Sequence, residues 1–139
     1  MKKLSVIMFF LLLIMIGCTE KRVLHSELKE SGRVMYYQGK PFTGIAFEMY
    51  NESQLEYEYA YKDGKKILWK SYWENGQIKH EAFSKDGKKD GVETAYEENG
   101  QKRFQNTYKD GVLLETKTYD DGQLMFRRTY KDGKQVEPL

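Results

Sequence analysis

The residue types that most often act as nucleophiles, general bases or zinc ligands are scarce in this chain. It contains one cysteine, Cys18, and two histidines, His25 and His80. A Ser-His-Asp or Cys-His arrangement needs a histidine beside its nucleophile, and a structural zinc site needs several His or Cys ligands. His80 falls on a predicted strand, where we expect it to be an ordinary residue of the sheet face. The sequence therefore predicts neither a histidine-dependent catalytic site nor a zinc site.

Carboxylates are plentiful but are not arranged for catalysis or for calcium. Glu56 and Glu58, or Glu97 and Glu98, are candidates for the two carboxyl groups that glycoside hydrolysis needs about 5 to 9 Å apart in a cleft. Charged residues that alternate along a strand are, however, typical of its solvated face. Most aspartates that precede a glycine also follow a lysine, which opposes cation binding, and Asp120-Asp121-Gly122 is the one Asp-Gly pair with a second acid beside it. We therefore expect a protein that is not an enzyme and holds no metal and no cofactor.

Evenly spaced glycines, each preceded by Asp or Asn, predict the architecture. Their spacings are 12, 11, 13, 11, 11 and 11 residues, and the glycines are Gly64, Gly76, Gly87, Gly100, Gly111, Gly122 and Gly133. Asp-Gly and Asn-Gly favour two-residue type I′ hairpin turns, because both central residues need positive φ. Gly91 adds one further Asp-Gly turn. The chain is therefore predicted to reverse about every 11 residues, with strands of roughly six to nine residues between turns.

The segments between these turns have the composition and alternation of strands. Two successive strands form a unit of 22 to 24 residues, and four such units follow one another, which is typical of a repeat array. We predict an all-β fold: an elongated antiparallel meander of repeated β-hairpins in a single-layer sheet over residues 33–134, with residues 33–42 as its opening strand. Residues 18–32 are polar and highly charged and are predicted to be a tether, with at most a short helical turn at Val23–Leu28. Residues 135–139 are predicted to be a C-terminal tail.

The beginning of the chain has the pattern of an export signal. Two lysines precede an apolar run of 11 residues, Val6–Ile16. That run is shorter than the roughly 20 residues that a membrane-spanning helix needs. A signal peptide is therefore expected over residues 1–17.

The residues that follow the apolar run, Met15-Ile16-Gly17-Cys18, resemble the lipobox of bacterial lipoproteins. The resemblance implies cleavage between Gly17 and Cys18 and diacylation of Cys18, which becomes the first residue of the mature chain. Two or three acyl chains hold a protein stably at a membrane. The resemblance therefore implies a lipid-anchored protein of the bacterial cell envelope. Thr19 after the cysteine favours the outer membrane where the organism has one.

The charge of the chain gives no case for nucleic acid. Of its 23 basic residues, two precede Cys18, so the rest of the chain has 21 basic and 21 acidic residues and no basic block. Nucleic-acid binding depends on clustered Lys and Arg. We therefore expect no nucleic-acid partner.

The repeat units resemble a known family. An aromatic residue, Asn-Gly, Leu or Ile, a second aromatic residue and Lys-Asp-Gly recur in that order, led by "YYQGKPFTG" at residues 36–44. This pattern resembles the bacterial variant of the MORN (membrane occupation and recognition nexus) repeat over residues 36–134. The resemblance implies a stack of β-hairpins. Many such bacterial chains are catalogued as the antitoxin component of a toxin–antitoxin module.

Aromatic side chains are the feature most suited to binding a partner. The chain has 11 tyrosines and two tryptophans, and Tyr and Trp are enriched at interfaces. Four tyrosines stand three residues before a turn glycine and are interpreted as packing positions of the repeat: Tyr61, Tyr108, Tyr119 and Tyr130. The less regular aromatic residues are the candidates for a binding face: Tyr36, Tyr37, Tyr57, Tyr59, Trp69 and Trp73.

Together these features predict a membrane-anchored interaction module. Its repeat sheet is expected to bind another protein of the envelope, either a toxin that it neutralises or an envelope component that it organises. The alternative is a ligand-binding lipoprotein whose aromatic sheet face recognises carbohydrate or peptidoglycan. The last strand near Tyr130 is also an exposed edge to which a partner's strand can pair.

Overall fold

The computed structural model describes residues 20–136 and shows an open sheet of ten strands beside a smaller sheet of three. In the large sheet the strand order is β1-β5-β6-β7-β8-β9-β10-β11-β12-β13, and every pair after β1-β5 consists of antiparallel neighbours in the chain. The predicted all-β meander of hairpins is therefore confirmed. The strands are β1 Arg22–Leu24, β2 Lys29–Ser31, β3 Val34–Tyr37, β4 Lys40–Pro41, β5 Gly44–Asn51, β6 Gln54–Lys62, β7 Lys65–Tyr72, β8 Ile78–Lys85, β9 Lys88–Tyr96, β10 Lys102–Lys109, β11 Val112–Asp120, β12 Gln123–Lys131 and β13 Lys134–Val136. The predicted signal peptide, its cleavage site at Gly17 and Cys18, and residues 137–139 of the tail lie outside the described residues.

The Asp-Gly turns have the predicted geometry. The five aspartates at these turns have φ between 45 and 52°, and the glycines that follow them have φ between 74 and 87°. Positive φ at both central positions is the requirement of a type I′ turn, whose twist matches that of the flanking strands.

The two Asn-Gly turns differ from this prediction. Gly76 has a φ of 83°, but Asn75 is not among the residues with positive φ. The turn holds three residues instead of two, since the Trp73 N–H donates to the Gln77 carbonyl at 2.8 Å and the Asn75 side chain accepts the Gln77 N–H at 2.9 Å. The same bonds recur from Glu97 to Gln101. The asparagine side chain therefore supports a longer turn with one left-handed glycine.

A β-bulge follows three of the Asp-Gly turns. In β7, β11 and β12 the residue three places after the turn glycine has no counterpart in the preceding strand, and these residues are Ile67, Leu114 and Met125. Bulges of this kind bend the strand and increase its twist. Each of the three extra side chains is more than a third exposed.

Gly91 is not a turn residue, which contradicts its interpretation as an additional Asp-Gly turn. It lies inside β9, where Phe83 alone faces residues 90–92. Its φ is 104°, and a Cβ at this position would lie 3.3 Å from Phe83 Cβ. Asp90 beside it accepts hydrogen bonds from Lys109 Nζ at 2.9 Å and the Asp110 N–H at 3.1 Å. The extra residues therefore form a bulge that holds the β10–β11 turn.

Residues 20–32 are part of the fold, although the sequence predicted a tether. β1 pairs in parallel with Ile45–Phe47 of β5, and β2 pairs with β3. A single 3-10 turn, His25–Glu27, joins β1 to β2 within the segment where a short helical turn was predicted. Val23 and Leu28 are buried in the core. The burial of these two side chains outweighs the charged composition around them.

The predicted opening strand also differs. It is split into β3 and β4 around a turn at Gln38 and Gly39, both with positive φ, and these strands belong to the small sheet. The small sheet packs on one face of the large sheet at its N-terminal end. The core between them consists of Val23, Leu28, Phe42, Ala46 and Tyr61, with Met35, Tyr37 and Tyr59 packed against it.

Candidate functional site

A groove lies between the small sheet and the adjoining strands of the large sheet. It has a volume of about 730 Å³. Val34 and Met35 of β3 line it from the small sheet, and Tyr59, Tyr61 and Trp69 line it from the large sheet. We call this surface the aromatic groove.

Strand alternation and register bring these aromatic rings together. Tyr57, Tyr59 and Tyr61 are alternate residues of β6 and therefore share one face of the sheet. Tyr59 is directly opposite Trp69 of β7, so Trp69 lies on the same face. The Tyr57 and Tyr59 rings stack with centroids 6.1 Å apart, and the His25 ring lies 4.7 Å from Tyr59.

The Asp63-Gly64 turn holds the small sheet in place above this face. The Gly64 N–H donates to the Phe42 carbonyl at 2.7 Å, and the Gly64 carbonyl accepts the Met35 N–H at 2.8 Å. A Cβ on Gly64 would lie 2.3 Å from Val34 Cγ1. Glycine is therefore needed here both for its positive φ and for this close approach.

Three of the six candidate binding residues share the face that the groove occupies. Tyr59 and Trp69 line the groove directly, and Tyr57 stacks on Tyr59 beside it. Tyr61, which was interpreted from the sequence as a packing position, is buried in the core and also lines the groove.

The other three candidates lie elsewhere. Tyr37 packs against the core, with its ring 6.0 Å from Phe42. Tyr36 lines a separate hollow on the small sheet. Trp73 follows β7 at the far end, where its Nε1–H donates to the Tyr96 carbonyl at 3.2 Å. The six residues therefore do not form one surface.

Basic residues outnumber acidic residues around the groove. Those that line it are Arg33, Lys65, Lys66, Lys88 and Lys89 against Glu30 and Asp86. Lys65 pairs with Asp86 at 2.8 Å, and Lys89 pairs with Glu93 at 2.6 Å. The remaining residues still give the groove an excess of positive charge.

A polar cluster centred on the buried Glu93 lies beside Trp69. The Glu93 carboxylate accepts hydrogen bonds from Lys89 Nζ at 2.6 Å and Asn106 Nδ2 at 3.3 Å, and His80 Nε2 lies 3.3 Å from it. Asn106 Oδ1 in turn accepts the Thr116 hydroxyl at 2.9 Å. We call these five residues the Glu93 cluster.

The environment of the Glu93 cluster shifts its pKa values. Burial acts to raise the pKa of Glu93, but the hydrogen bonds from Lys89 and Asn106 outweigh burial and lower it below its ordinary value. Burial lowers the pKa of His80 despite the nearby Glu93 carboxylate. At neutral pH the Glu93 cluster therefore contains a neutral imidazole beside an ionised carboxylate. In the aromatic groove, outside this cluster, burial raises the pKa of Tyr61 to about 12.

The Glu93 cluster was not predicted from the sequence, although a signal was present. Counting outward from the Asp86-Gly87 turn places His80 directly opposite Glu93. The bulge around Gly91 shifts this register, so Ala82 is opposite Glu93 and His80 is its diagonal neighbour. A shift of two residues leaves a side chain on the same face of the sheet. Counting from the turn therefore correctly places His80 and Glu93 on one face, although not directly opposite each other.

Within residues 20–136 no helix is long and apolar enough to cross a membrane. Over the same residues, no group of three or more His, Cys, Asp or Glu side chains is placed to hold a metal ion.

Comparison with known proteins agrees with the repeat architecture. No curated protein matches the chain. The model of the MORN repeat variant family matches residues 66–86 and 89–110. These ranges cover most of the β7–β8 hairpin and of the β9–β10 hairpin, and the first contains Trp69 and His80. The two hairpins at the centre of the large sheet are therefore repeats of the MORN variant type.

Proposed function

We propose that this protein is an exported, lipid-anchored interaction module that binds an acidic segment of a partner protein in the aromatic groove. The observation that carries the proposal is the placement of Tyr59 and Trp69 side by side beneath an excess of lysine and arginine. The MORN-variant repeats agree with an interaction role. The export signal and the lipobox-like residues around Cys18 support the anchor.

The chemistry of the groove favours a protein segment with negative charge. Tyr and Trp offer large contact area at low entropic cost. Lys66 and Lys88 are exposed at the groove and have no ion pair with the described residues. Complementary charge raises the rate of association and suppresses wrong partners.

An immunity-type role is the specific form of this proposal. An antitoxin that binds a toxin in the envelope blocks it by covering its surface, which requires binding but no catalysis. The resemblance to antitoxin chains of the MORN-variant type supports this role.

Affinity capture with matched variants tests the groove. The full-length chain is tagged, extracted from native envelope in detergent, and its retained proteins are identified by mass spectrometry. We expect the wild-type chain to retain one stoichiometric partner and the Lys66→Glu variant to lose it. Lys62→Glu is the control, because Lys62 is also exposed on the same hairpin but does not line the groove. Equal retention by both variants would exclude the groove as the binding site.

Expression of the retained partner tests the immunity role. We expect the partner to arrest growth when exported alone and to be harmless when the chain is exported with it. A partner that is harmless alone would exclude the antitoxin role and leave an organising role in the envelope.

A glycan is the second candidate ligand. Tyr59 and Trp69 are directly opposite each other in the sheet, so their rings form an adjacent pair on which sugar rings can stack. Isothermal titration of the chain with peptidoglycan fragments tests this alternative. Saturable binding that Trp69→Ala abolishes and Trp73→Ala leaves unchanged would favour the glycan over a protein partner.

A further inference from the structure

We propose that the open edge of β12 binds a strand of a partner protein, and that this strand carries a carboxylate opposite Arg128 and a small side chain opposite Phe126. This edge lies at the end of the large sheet away from the aromatic groove. Binding at the edge is therefore independent of binding in the groove.

The edge of β12 is only partly covered. β13 pairs with Thr129–Lys131, the last three residues of β12. In the described part of the chain, no strand lies beside Gln123–Arg128 on that side. The strands that follow the earlier Lys-Asp-Gly turns, β7, β9 and β11, instead extend along most of the preceding strand. Unpaired backbone groups along an edge are a template for another strand.

One row of side chains across the large sheet alternates between rings and small residues. Phe104 of this row lies between Ala95 and Thr118 and is partly buried. Phe126 is the next ring, has Thr118 opposite it on its paired side only, and is 61 % exposed. A small residue on the open side would continue the alternation and bury part of the Phe126 ring under the added strand. The whole row is Tyr57, Ser71, His80, Ala95, Phe104, Thr118 and Phe126.

The neighbouring row on the same face favours an acidic residue opposite Arg128. In this row Asn106 Nδ2 donates to the Glu93 carboxylate at 3.3 Å, and the Thr116 hydroxyl donates to Asn106 Oδ1 at 2.9 Å. Arg128 is opposite Thr116, is exposed, and has no ion pair within residues 20–136. Opposite charges across a pair of strands stabilise it, so a carboxylate on the open side would supply the partner that Arg128 lacks.

β9 contains the pattern that such a strand needs. Its Glu93 is opposite Asn106 of β10, and its Ala95, two residues later, is opposite Phe104. On an antiparallel strand beside β12, the residue opposite Phe126 likewise comes two positions after the residue opposite Arg128. The partner strand is therefore expected to contain Glu or Asp, then any residue, then Ala, Ser or Thr.

Peptide binding to the full-length chain in detergent tests the edge. The probe is a dye-labelled peptide, Glu-Thr-Ala-Tyr-Val-Thr, whose first four residues copy Glu93–Tyr96 of β9. We expect saturable binding by fluorescence anisotropy, weakened roughly fivefold or more by Arg128→Glu, because an exposed charge pair contributes up to about that factor. A peptide with Lys in place of Glu is expected to prefer Arg128→Glu over the wild type.

Arg103→Glu is the matched control. It makes the same change of charge at an exposed arginine, but its strand, β10, is paired on both sides. We expect this variant to bind the peptide as the wild type does, and thermal melting checks that both variants retain the fold. Equal weakening by the two variants would reveal general charge attraction, and no saturable binding by the wild type would exclude the edge. Either result would overturn the proposal.

Hydrogen exchange locates the bound peptide. Amides of Gln123–Arg128 that face the open edge become hydrogen-bonded when a strand pairs there, so their exchange is expected to slow when the peptide is present. Exchange in Lys102–Lys109 of β10 is expected to be unchanged. Slowed exchange in another strand, with none in β12, would contradict pairing at this edge.

Two other occupants compete for the edge, namely the chain's own residues 137–139 and a second copy of the chain. Peptide binding by a variant that ends at Val136, but not by the wild type, would assign the edge to residues 137–139. A wild-type dimer in sedimentation that excludes the peptide would assign it to a second copy. Both results would overturn a partner strand as the occupant.

Discussion

The imidazole ring of His80 stacks on the indole ring of Trp69, with centroids 4.6 Å apart and planes inclined by 22°. The Phe104 ring also meets His80 in an edge arrangement, with ring centroids 6.1 Å apart and planes inclined by 63°. His80 Nδ1 is buried and has no hydrogen-bond partner among the described residues. Trp69 lines the aromatic groove, so His80 packs against one of the side chains that form the groove.

Stability is expected to fall with His80 protonation. Burial holds the pKa of folded His80 below its ordinary value of about 6.5. Below that pH the unfolded chain binds a proton at this histidine more readily than the folded chain does. The contribution of His80 to the free energy of unfolding is therefore complete above about pH 6.5. It is lost as the pH falls from there toward the lower pKa of the folded state. Thermal melting at about pH 7.5 and about pH 5.5 measures the loss, and we expect His80→Phe to show a smaller drop in melting temperature than the wild type.

His25→Gln provides the control for this pH dependence, since it removes the other histidine of the chain. The groups facing His80 that also carry charge are Glu93, Lys89 and Glu81. All three remain in both variants. If His80→Phe and His25→Gln show the same dependence as the wild type, His80 does not contribute to it.

Removal of the Glu93 carboxylate is expected to destabilise the sheet. Glu93 is 7 % exposed and accepts hydrogen bonds from Lys89 and Asn106. Glu93→Ala leaves the partly buried Asn106 amide without its acceptor, which typically costs about 1–3 kcal/mol, whereas the exposed Lys89 ammonium can turn to water. Urea unfolding measures the change. Glu97→Ala is the control, because Glu97 is half exposed and lies 3.7 Å from Arg103, and a loss below about 1 kcal/mol is expected there. Equal losses would mean that the Glu93 cluster contributes no more than a surface pair.

Two turn glycines with nearly equal φ separate backbone strain from crowding. Gly64 and Gly133 have φ of 75 and 74°, but a Cβ would meet Val34 Cγ1 at 2.3 Å in the first and nothing within 4 Å in the second. Both alanine variants incur the strain of positive φ, roughly 1 kcal/mol or more. Only Gly64→Ala also displaces β3. We expect the melting temperature of Gly64→Ala to be clearly lower than that of Gly133→Ala. Equal melting temperatures would show that the small sheet can move aside without loss of stability.

Cys18→Ser tests the anchor. The variant lacks the thiol to which acyl chains would attach under the proposed anchoring, so it is expected to leave the membrane fraction when cells are broken and fractionated. Ser5→Ala, directly before the apolar run Val6–Ile16, is the control and is expected to remain in that fraction. Retention of Cys18→Ser at the wild-type level would contradict lipid anchoring.

The hairpins were predictable because their signal is local. Asp-Gly demands positive φ at two adjacent residues, and Asp110-Gly111 satisfies that demand within the turn itself. Asn75-Gly76 was predicted to behave in the same way, but its turn depends on a side-chain bond to Gln77 and on one more residue in the loop. The dipeptide alone does not contain that information.

The groove was less predictable because it depends on contacts that are distant in sequence. β1 and β2 have three residues each, which is too short for a periodic pattern. Val23 becomes a core residue only when it meets Ala46 across a parallel pairing. Aromatic content identified Tyr59 and Trp69 as binding candidates, but the small sheet that completes the groove could not be placed from the sequence.

The early start of β1 limits how far the folded part could move from the lipid proposed at Cys18. Only four peptide units join Cys18 to Arg22, and a fully extended chain of that length reaches about 14 Å. That reach is about twice the thickness of one headgroup layer, which is roughly 5 to 7.5 Å. A tether of fifteen residues would have reached roughly 50 Å. With its lipid in place, the N-terminal edge of the sheet, and the groove beside it, would stay within a short distance of the bilayer surface. A partner of the groove would then be met at the membrane itself.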